Sequence, residues 1–379
     1  MFRFLHSSDL HLGKPFGRFD EDVRGRLREA RFDALNRLAQ AARDGGAQVV
    51  LLAGDTFDQE TPAPRLIRQT LNTMRAASDI HWVLMPGNHD SLAATELWQT
   101  IQRDRPDNLT LALSDAPVDL GAATLLPAPC TARNPGRDLT EAMGQPTAEG
   151  QIRIGLGHGG ITEFAGKDGE GGDVPSGVIA PDRARRAGLD YLGFGDWHRQ
   201  MRIDDRTWYS GTPEQDAFKH DTRGQALLVG IGGAGTAPEV TPVVTAALHW
   251  QRRTITVTPQ EDTESLLDTV LPQLGARRDT LFALVGEGRL GVARMQTLRA
   301  GLRRAAPDFL HFEEDLTAVA LAQEAADIEA IDASGGALRQ AAERLATRAE
   351  DSALSQDDRK VAQDALSLLF GFAAEAGTA

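Results

Sequence analysis

One local event recurs along this chain and limits what it can become: a short apolar run stops, within a few residues, on a side chain able to ligate a metal. Phe2 to Leu5 leads to Asp9 and His11, Val49 to Ala53 to Asp55, and Trp82 to Met85 to Asn88-His89-Asp90. Ile152 to Leu156 leads in the same way to His158, and Tyr191 to Phe194 to Asp196 and His198. Apolar, β-branched runs stopped by Gly or Pro-Gly read as buried strands ending in tight turns. In open α/β sheets the ligand site lies beyond the carboxyl ends of the strands, so all these groups are expected on one edge. Asp9, His11, Asp55, Asn88, His158, Asp196 and His198 are too many for one catalytic ion that keeps an open position, and suit two ions sharing a carboxylate.

Between the runs, Leu27, Ala30, Ala34, Leu35, Leu38 and Ala42 recur at helical spacing until Gly45-Gly46, and a second helix is expected from Pro64 to Ala77. These helices serve as crossovers between strands. Leu109 to Pro129 breaks into short apolar runs and reads as strands of a second sheet. The expected fold class is therefore α/β, a two-layer β-sandwich flanked by helices. Gly166 to Gly177, polar and glycine-rich, reads as a surface loop and candidate lid. Met201 to Ile203 with Trp208-Tyr209 reads as a hairpin, followed by strands at Gln225 to Ile231 and Val240 to Val244.

A boundary is expected near Ala246, giving segments 1–246, 247–317 and 318–379. The middle segment reads as α+β: strands at Trp250 to Val257, Thr280 to Val285 and Phe309 to Phe312, with helices at Ser265 to Leu274 and Val292 to Ala305. Helices follow at Gly336 to Thr347 and Asp357 to Phe372, the last with Val361, Ala365, Leu369 and Phe372 on one stripe.

With 54 acidic and 40 basic residues the formal charge is -14, the wrong sign for binding phosphates over the whole surface. Bound dications and local clusters, such as Arg24, Arg26, Arg28 and Arg31, Arg65 and Arg68, or Arg183, Arg185 and Arg186, can still make a positive cleft. The single cysteine, Cys130, excludes an internal disulfide and fits a reducing compartment. Neither a signal peptide nor a membrane-spanning stretch is evident, so a cytoplasmic protein without membrane partners is expected.

Taken in order, Asp-x-His, Gly-Asp, Gly-Asn-His-Asp, Gly-His and Gly-x-x-His resemble the calcineurin-like metallophosphoesterase superfamily over about the first two thirds of the chain. Phe-Leu-His-Ser-Ser-Asp-Leu-His-Leu-Gly at the start, Leu-Ala-Gly-Asp-Thr-Phe-Asp at 52–58 and Tyr-Ser-Gly-Thr-Pro-Glu at 209–214 are similar to DNA double-strand-break repair nucleases of the SbcD type. The resemblance implies that Asp9, His11 and His198 hold one divalent ion, that Asn88, His158 and Asp196 hold another, and that Asp55 bridges, with manganese the expected metal. His89, next to a ligand, would donate to the scissile phosphate or leaving oxygen, oriented by Asp90 or a backbone carbonyl. His6, His81, His220, His249 and His311 fall outside the motifs and read as structural. The chain departs from the family at Gly195-Asp196-Trp197-His198, where Gly-His-x-His is usual.

The implied activity is metal-dependent phosphodiester hydrolysis of DNA, as exonuclease or endonuclease in repair. A coiled-coil ATPase of the SbcC type would be the partner, residues 247–317 the capping domain, and a homodimer one state of assembly. The alternative is a small-molecule phosphodiesterase or phosphatase with the same dinuclear site. A non-catalytic scaffold would have little need of the motif set.

Overall fold

Five consecutive apolar side chains, Val49 to Ala53, are all buried, and they alternate between two cores. Val50 and Leu52 face helices, whereas Val49, Leu51 and Ala53 face a second sheet, as the two-residue period of a strand requires. A strand covered on both faces reads as a continuous apolar run. The computed structural model describes residues 1–162, 178–219, 222–322 and 336–377. The candidate lid at Gly166 to Gly177 and His220 lie outside the described residues.

The chain divides into two units, Met1–His249 and Trp250–Ala379. The first is mixed α/β, with two six-stranded sheets. Its elements are β1 (Phe2–Ser7), α1 (Glu21–Asp44), β2 (Val49–Ala53), α2 (Pro64–Ala76), β3 (His81–Met85), α3 (Thr95–Asp104), β4 (Leu109–Leu111), β5 (Val118–Asp119), β6 (Ala123–Ala128), β7 (Ile152–His158), α4 (Arg183–Arg186), β8 (Tyr191–Gly195), β9 (Met201–Arg202), β10 (Thr207–Tyr209), β11 (Gln225–Ile231) and β12 (Glu239–Val244). One sheet has the order β12-β11-β1-β2-β3-β4, the other β5-β6-β7-β8-β10-β9. β1, β2, β3 and β4 run parallel, as do β6, β7, β8 and β10. Their carboxyl ends therefore open on one edge of each sheet.

Between the sheets, Phe4, Leu51 and Val83 meet Leu125, Ile154, Leu156 and Tyr191. Helices α1, α2 and α3 cover the other face of the first sheet through Leu35, Leu38, Leu71, Met74 and Trp98. Full burial of such a side chain contributes about 1.5–3 kcal/mol. Two expectations are corrected here. Leu109–Leu111 extends the first sheet beside β3 rather than the second, because its three residues pair with Trp82 to Leu84. Thr95–Asp104, where the sequence suggests no element, is a helix whose Leu97, Trp98 and Ile101 are buried.

The second unit holds a three-stranded sheet in the order β13-β14-β15: β13 (His249–Val257), β14 (Thr280–Gly291) and β15 (His311–Ala322). Phe282, Leu284, Leu298, Leu302 and Phe309 form its core. β14 and β15 are parallel and longer than the sequence suggests, so residues 318–322, expected in the helical region, are strand instead. The last two helices, Ala337–Glu350 and Gln356–Gly377, meet through Ala342, Leu345, Ala346, Leu366 and Leu369. Of the expected stripe Leu369 packs there, whereas at its start Ala362 is buried in place of Val361, which is 66% exposed.

Candidate metal centre

The turns that end β1, β2 and β8 take unusual backbone shapes. Asp9, His11, Asp55 and Asp196 all have positive φ, at 55°, 43°, 53° and 94°, and Phe16 is the one other such non-glycine among the described residues. Conformations of this kind cost of order 1–3 kcal/mol each and persist where the surroundings over-determine them. Glycines make the close approach possible. A Cβ on Gly54 would collide with the His158 ring and with Gly87, and one on Gly87 would collide with the Asp55 carboxylate.

All seven expected donors come to this edge. Nε2 of His11 and Nε2 of His198 lie 3.1 Å apart, and Asp9 completes a group of three donors with them. Behind these rings, Nδ1 of His11 is 3.2 Å from Oδ1 of Asp58, and Nδ1 of His198 is 3.2 Å from Oδ2 of Asp216. The Asp216 carboxylate holds the Nδ1 proton of His198, Asp58 lies beside Nδ1 of His11 without a hydrogen bond to it, and the two Nε2 atoms face each other. Two lone pairs at that distance repel unless a cation lies between them, so the donor set fits a metal.

The second group is built on His158. Its Nδ1 donates to the Ala53 carbonyl at 2.7 Å, and its Nε2 faces Oδ1 of Asn88 at 3.2 Å, Oδ1 of Asp55 at 3.6 Å and Oδ1 of Asp196 at 3.8 Å. Asp55 presents its other oxygen, Oδ2, to Nε2 of His11 at 3.6 Å. It therefore faces both groups with one oxygen each. Asp9 also groups with Asp55 and His158, and both its oxygens accept from the Asp196 amide, at 3.1 and 3.2 Å.

The charges are arranged for cations. Burial pushes Asp55 well above the usual carboxylate range, with His158 opposing, and burial likewise raises Asp196. Burial alone would lower His158, but Asp55, Asp9 and Asp196 outweigh it and raise the ring to about 9. Burial also works against charge on His198, where Asp216 and Asp9 prevail and raise it. His11 is held well below the imidazole range by burial and by His198, Arg31 and Lys14. Raised carboxylates beside raised imidazoles mark a cluster whose mutual charges a dication would balance.

The calcineurin-like phosphoesterase family model matches residues 2–200, which include every one of these donors. The chain belongs to that family. Within the matched span, Asp9, His11 and His198 form one group of donors that could hold a divalent ion, and Asp9, Asp55 and His158 another. The uncharacterized metallophosphoesterase YhaO of Bacillus subtilis is 25% identical over 52% of this chain and 49% of its own length. The DNA double-strand break repair protein Mre11 of Methanosarcina acetivorans is 24% identical over 62% of this chain and 37% of its own. One component of the SbcCD nuclease of Bacillus subtilis is 33% identical over 24% of this chain and 22% of its own. The chain thus spans half or less of the length of these relatives.

His89 is half-buried, and its ring meets that of His11 edge-on at 4.8 Å. Its Nδ1 donates to the Asp58 carbonyl at 3.0 Å, so the backbone carbonyl, not Asp90, orients it. Asp90 is instead fully buried and accepts from the amides of Gly87, Phe57 and Asp55 at 2.7, 3.0 and 3.3 Å. It ties the turns after β2 and β3 together.

Sequence reasoning misses the parts played by Asp58 and Asp216, and Arg31, grouped there with Arg24, Arg26 and Arg28 as a candidate for a positive cleft, is buried instead. Arg31, 1% exposed on α1, donates to the Leu10 carbonyl at 2.7 Å and the Glu214 carbonyl at 2.8 Å and approaches Asp216 at 3.8 Å. Lys14 pairs with Asp216 at 2.5 Å. Asp58 has a signal, as the closing residue of Leu-Ala-Gly-Asp-Thr-Phe-Asp, whereas Asp216 has none. His6, outside the motifs, is fully buried with Nδ1 2.8 Å from the Tyr191 hydroxyl, and burial lowers it to about 3.

Proposed function

We propose that this phosphoesterase hydrolyses phosphodiester bonds of DNA, with Asp9, His11 and His198 holding one divalent ion, Asn88, His158 and Asp196 a second, and Asp55 bridging. The observation that carries the two-ion reading is Asp55, which offers one oxygen to each ring-centred group. Bound there, the ions would supply hydroxide from water at neutral pH and offset charge on the phosphate oxygens. Asp216 and the Ala53 carbonyl fix the tautomers of His198 and His158. With its Nδ1 proton held by the Asp58 carbonyl, His89 in its protonated form has Nε2–H left to donate to the phosphate or the leaving oxygen.

The DNA substrate is supported by two relatives, a double-strand break repair protein and a nuclease component. The second unit supports it too, as a body beyond what a small-molecule site needs. We infer in addition a helical protein partner of the coiled-coil ATPase kind, on the exposed Leu338, Val361 and Leu368 of the last two helices. Manganese is the expected metal, since the donors mix hard oxygens with imidazoles. The charge of -14 favours the second reading, a small-molecule phosphodiesterase.

Incubation with Mn²⁺ and either end-labelled linear DNA or bis(4-nitrophenyl) phosphate separates the two. Turnover of both is expected, and turnover of the chromogenic ester alone overturns the DNA reading. His89→Gln should retain both ions by metal analysis yet lose about two to four orders of magnitude in rate. Loss of an ion would make His89 a ligand.

A further inference from the structure

β6 is the parallel neighbour of β7, and its carboxyl end opens on the same edge as the metal donors. It delivers no donor there. Instead it leads into Arg133-Asn134-Pro135-Gly136-Arg137, with both arginines exposed. This segment lines a pocket together with Asn88, His158 and Asp196. Ala128, Cys130 and Ile179, each at most 3% exposed, make part of its lining apolar. Gly159 and Gly160 line the pocket without side chains and leave its space open.

The pocket is held in shape at two points. Arg183 pairs with Asp138 at 2.5 Å, and Asp138 caps the turn that follows by accepting from the Thr140 amide at 2.9 Å. Elsewhere in the lining the Tyr209 hydroxyl donates to the Gly159 carbonyl at 2.7 Å. Its volume, about 90 Å³, is too small for a base pair. An apolar lining suits a heterocycle, and guanidinium groups suit a phosphate.

We infer that this pocket is a nucleotide subsite beside the metal centre: a single unpaired base rests against the apolar lining of Ala128, Cys130 and Ile179 while its outer phosphate meets Arg133 and Arg137. This deepens the proposed reading and rests on it, since it makes the substrate a strand end with an unpaired nucleotide. The pocket also explains how an acidic protein can select a nucleotide chain: positive charge is concentrated where one phosphate lies, not spread over the surface.

The test is titration calorimetry of the full chain loaded with Mn²⁺, using thymidine 3′,5′-bisphosphate, thymidine 5′-monophosphate and inorganic phosphate. The bisphosphate should bind roughly tenfold more tightly than the monophosphate, the size expected of one charged phosphate contact. Arg133→Gln with Arg137→Gln should abolish that advantage and leave the affinity for inorganic phosphate unchanged. Arg137→Lys, which keeps charge but not the planar fork, should restore part of it. Bisphosphate binding no tighter than that of the monophosphate, or an advantage that survives in the double variant, overturns the subsite. The two readings fail separately. A chain that cleaves DNA but shows no bisphosphate preference loses the subsite alone. One that shows the arginine-dependent preference and leaves DNA intact loses the DNA reading, and the pocket is then a mononucleotide site.

Discussion

The two halves of the metal centre hold their imidazoles by different means. His11 and His198 are backed by carboxylates, Asp58 and Asp216, and Asp216 is in turn met by Lys14 and approached by Arg31. His158 is backed by a main-chain carbonyl, and its companions are a neutral amide and two carboxylates. A carboxylate partner raises the basicity of the ring it supports, whereas a carbonyl mainly fixes its direction. The first half therefore depends on side chains that can be removed one at a time. The second depends on backbone geometry, with Gly54 pressed against the His158 ring.

Asp55 belongs to both halves, so its loss is the severest test of treating them as separable. Asp55→Ala should leave neither ion fully bound and lower hydrolysis by at least about a thousandfold, since two adjacent dications then lack the shared anion that screens them. Anomalous scattering from Mn²⁺-soaked crystals reads this directly, and two full peaks would show that the halves need no bridge. A smaller effect is expected from Asp216→Asn. Affinity for the ion at His198 should fall about 10–100-fold while the ion at His158 is retained. Equal weakening of both, in a two-site titration, would dissolve the contrast.

The smallest effect extends the contrast to a ring backed by neither carboxylate nor carbonyl. His6 meets the Tyr191 hydroxyl and is held at about 3 in the folded state, below the imidazole value of about 6.5 when unfolded. Its contribution to stability is present above pH about 6.5 and is lost as the pH falls from there toward 3, because the unfolded chain takes up the proton first. Metal-free protein should lose up to about 1.4 kcal/mol per pH unit across that window from this group. Urea midpoints in His6→Gln should fall less steeply, and an unchanged slope would mean that other groups govern acid unfolding.

Much of this site is legible because its ligands follow strands, and strands announce themselves as apolar runs. β2 begins and ends where the sequence places it and β3 ends there, and the donors follow at the turns. What stays hidden has a common cause. Asp216 meets Arg31 and Lys14 across about two hundred positions of chain, and nothing local in these residues marks that meeting. The final helix is rich in alanine, so neighbouring faces differ little in polarity and the buried face cannot be fixed to one residue. Thr95–Asp104 is too short, with too few apolar positions, for its period to stand out.

The Asp90 carboxylate, buried and bonded to three amides from two turns, has a consequence for the timescale on which the centre opens. Backbone amides in turns ordinarily exchange with solvent quickly, each on its own. Those of Asp55, Phe57 and Gly87 share one acceptor, so none is released without disturbing the others. They should exchange with deuterium as a single slow group, at the pace of the strands behind them and not of the surface around them.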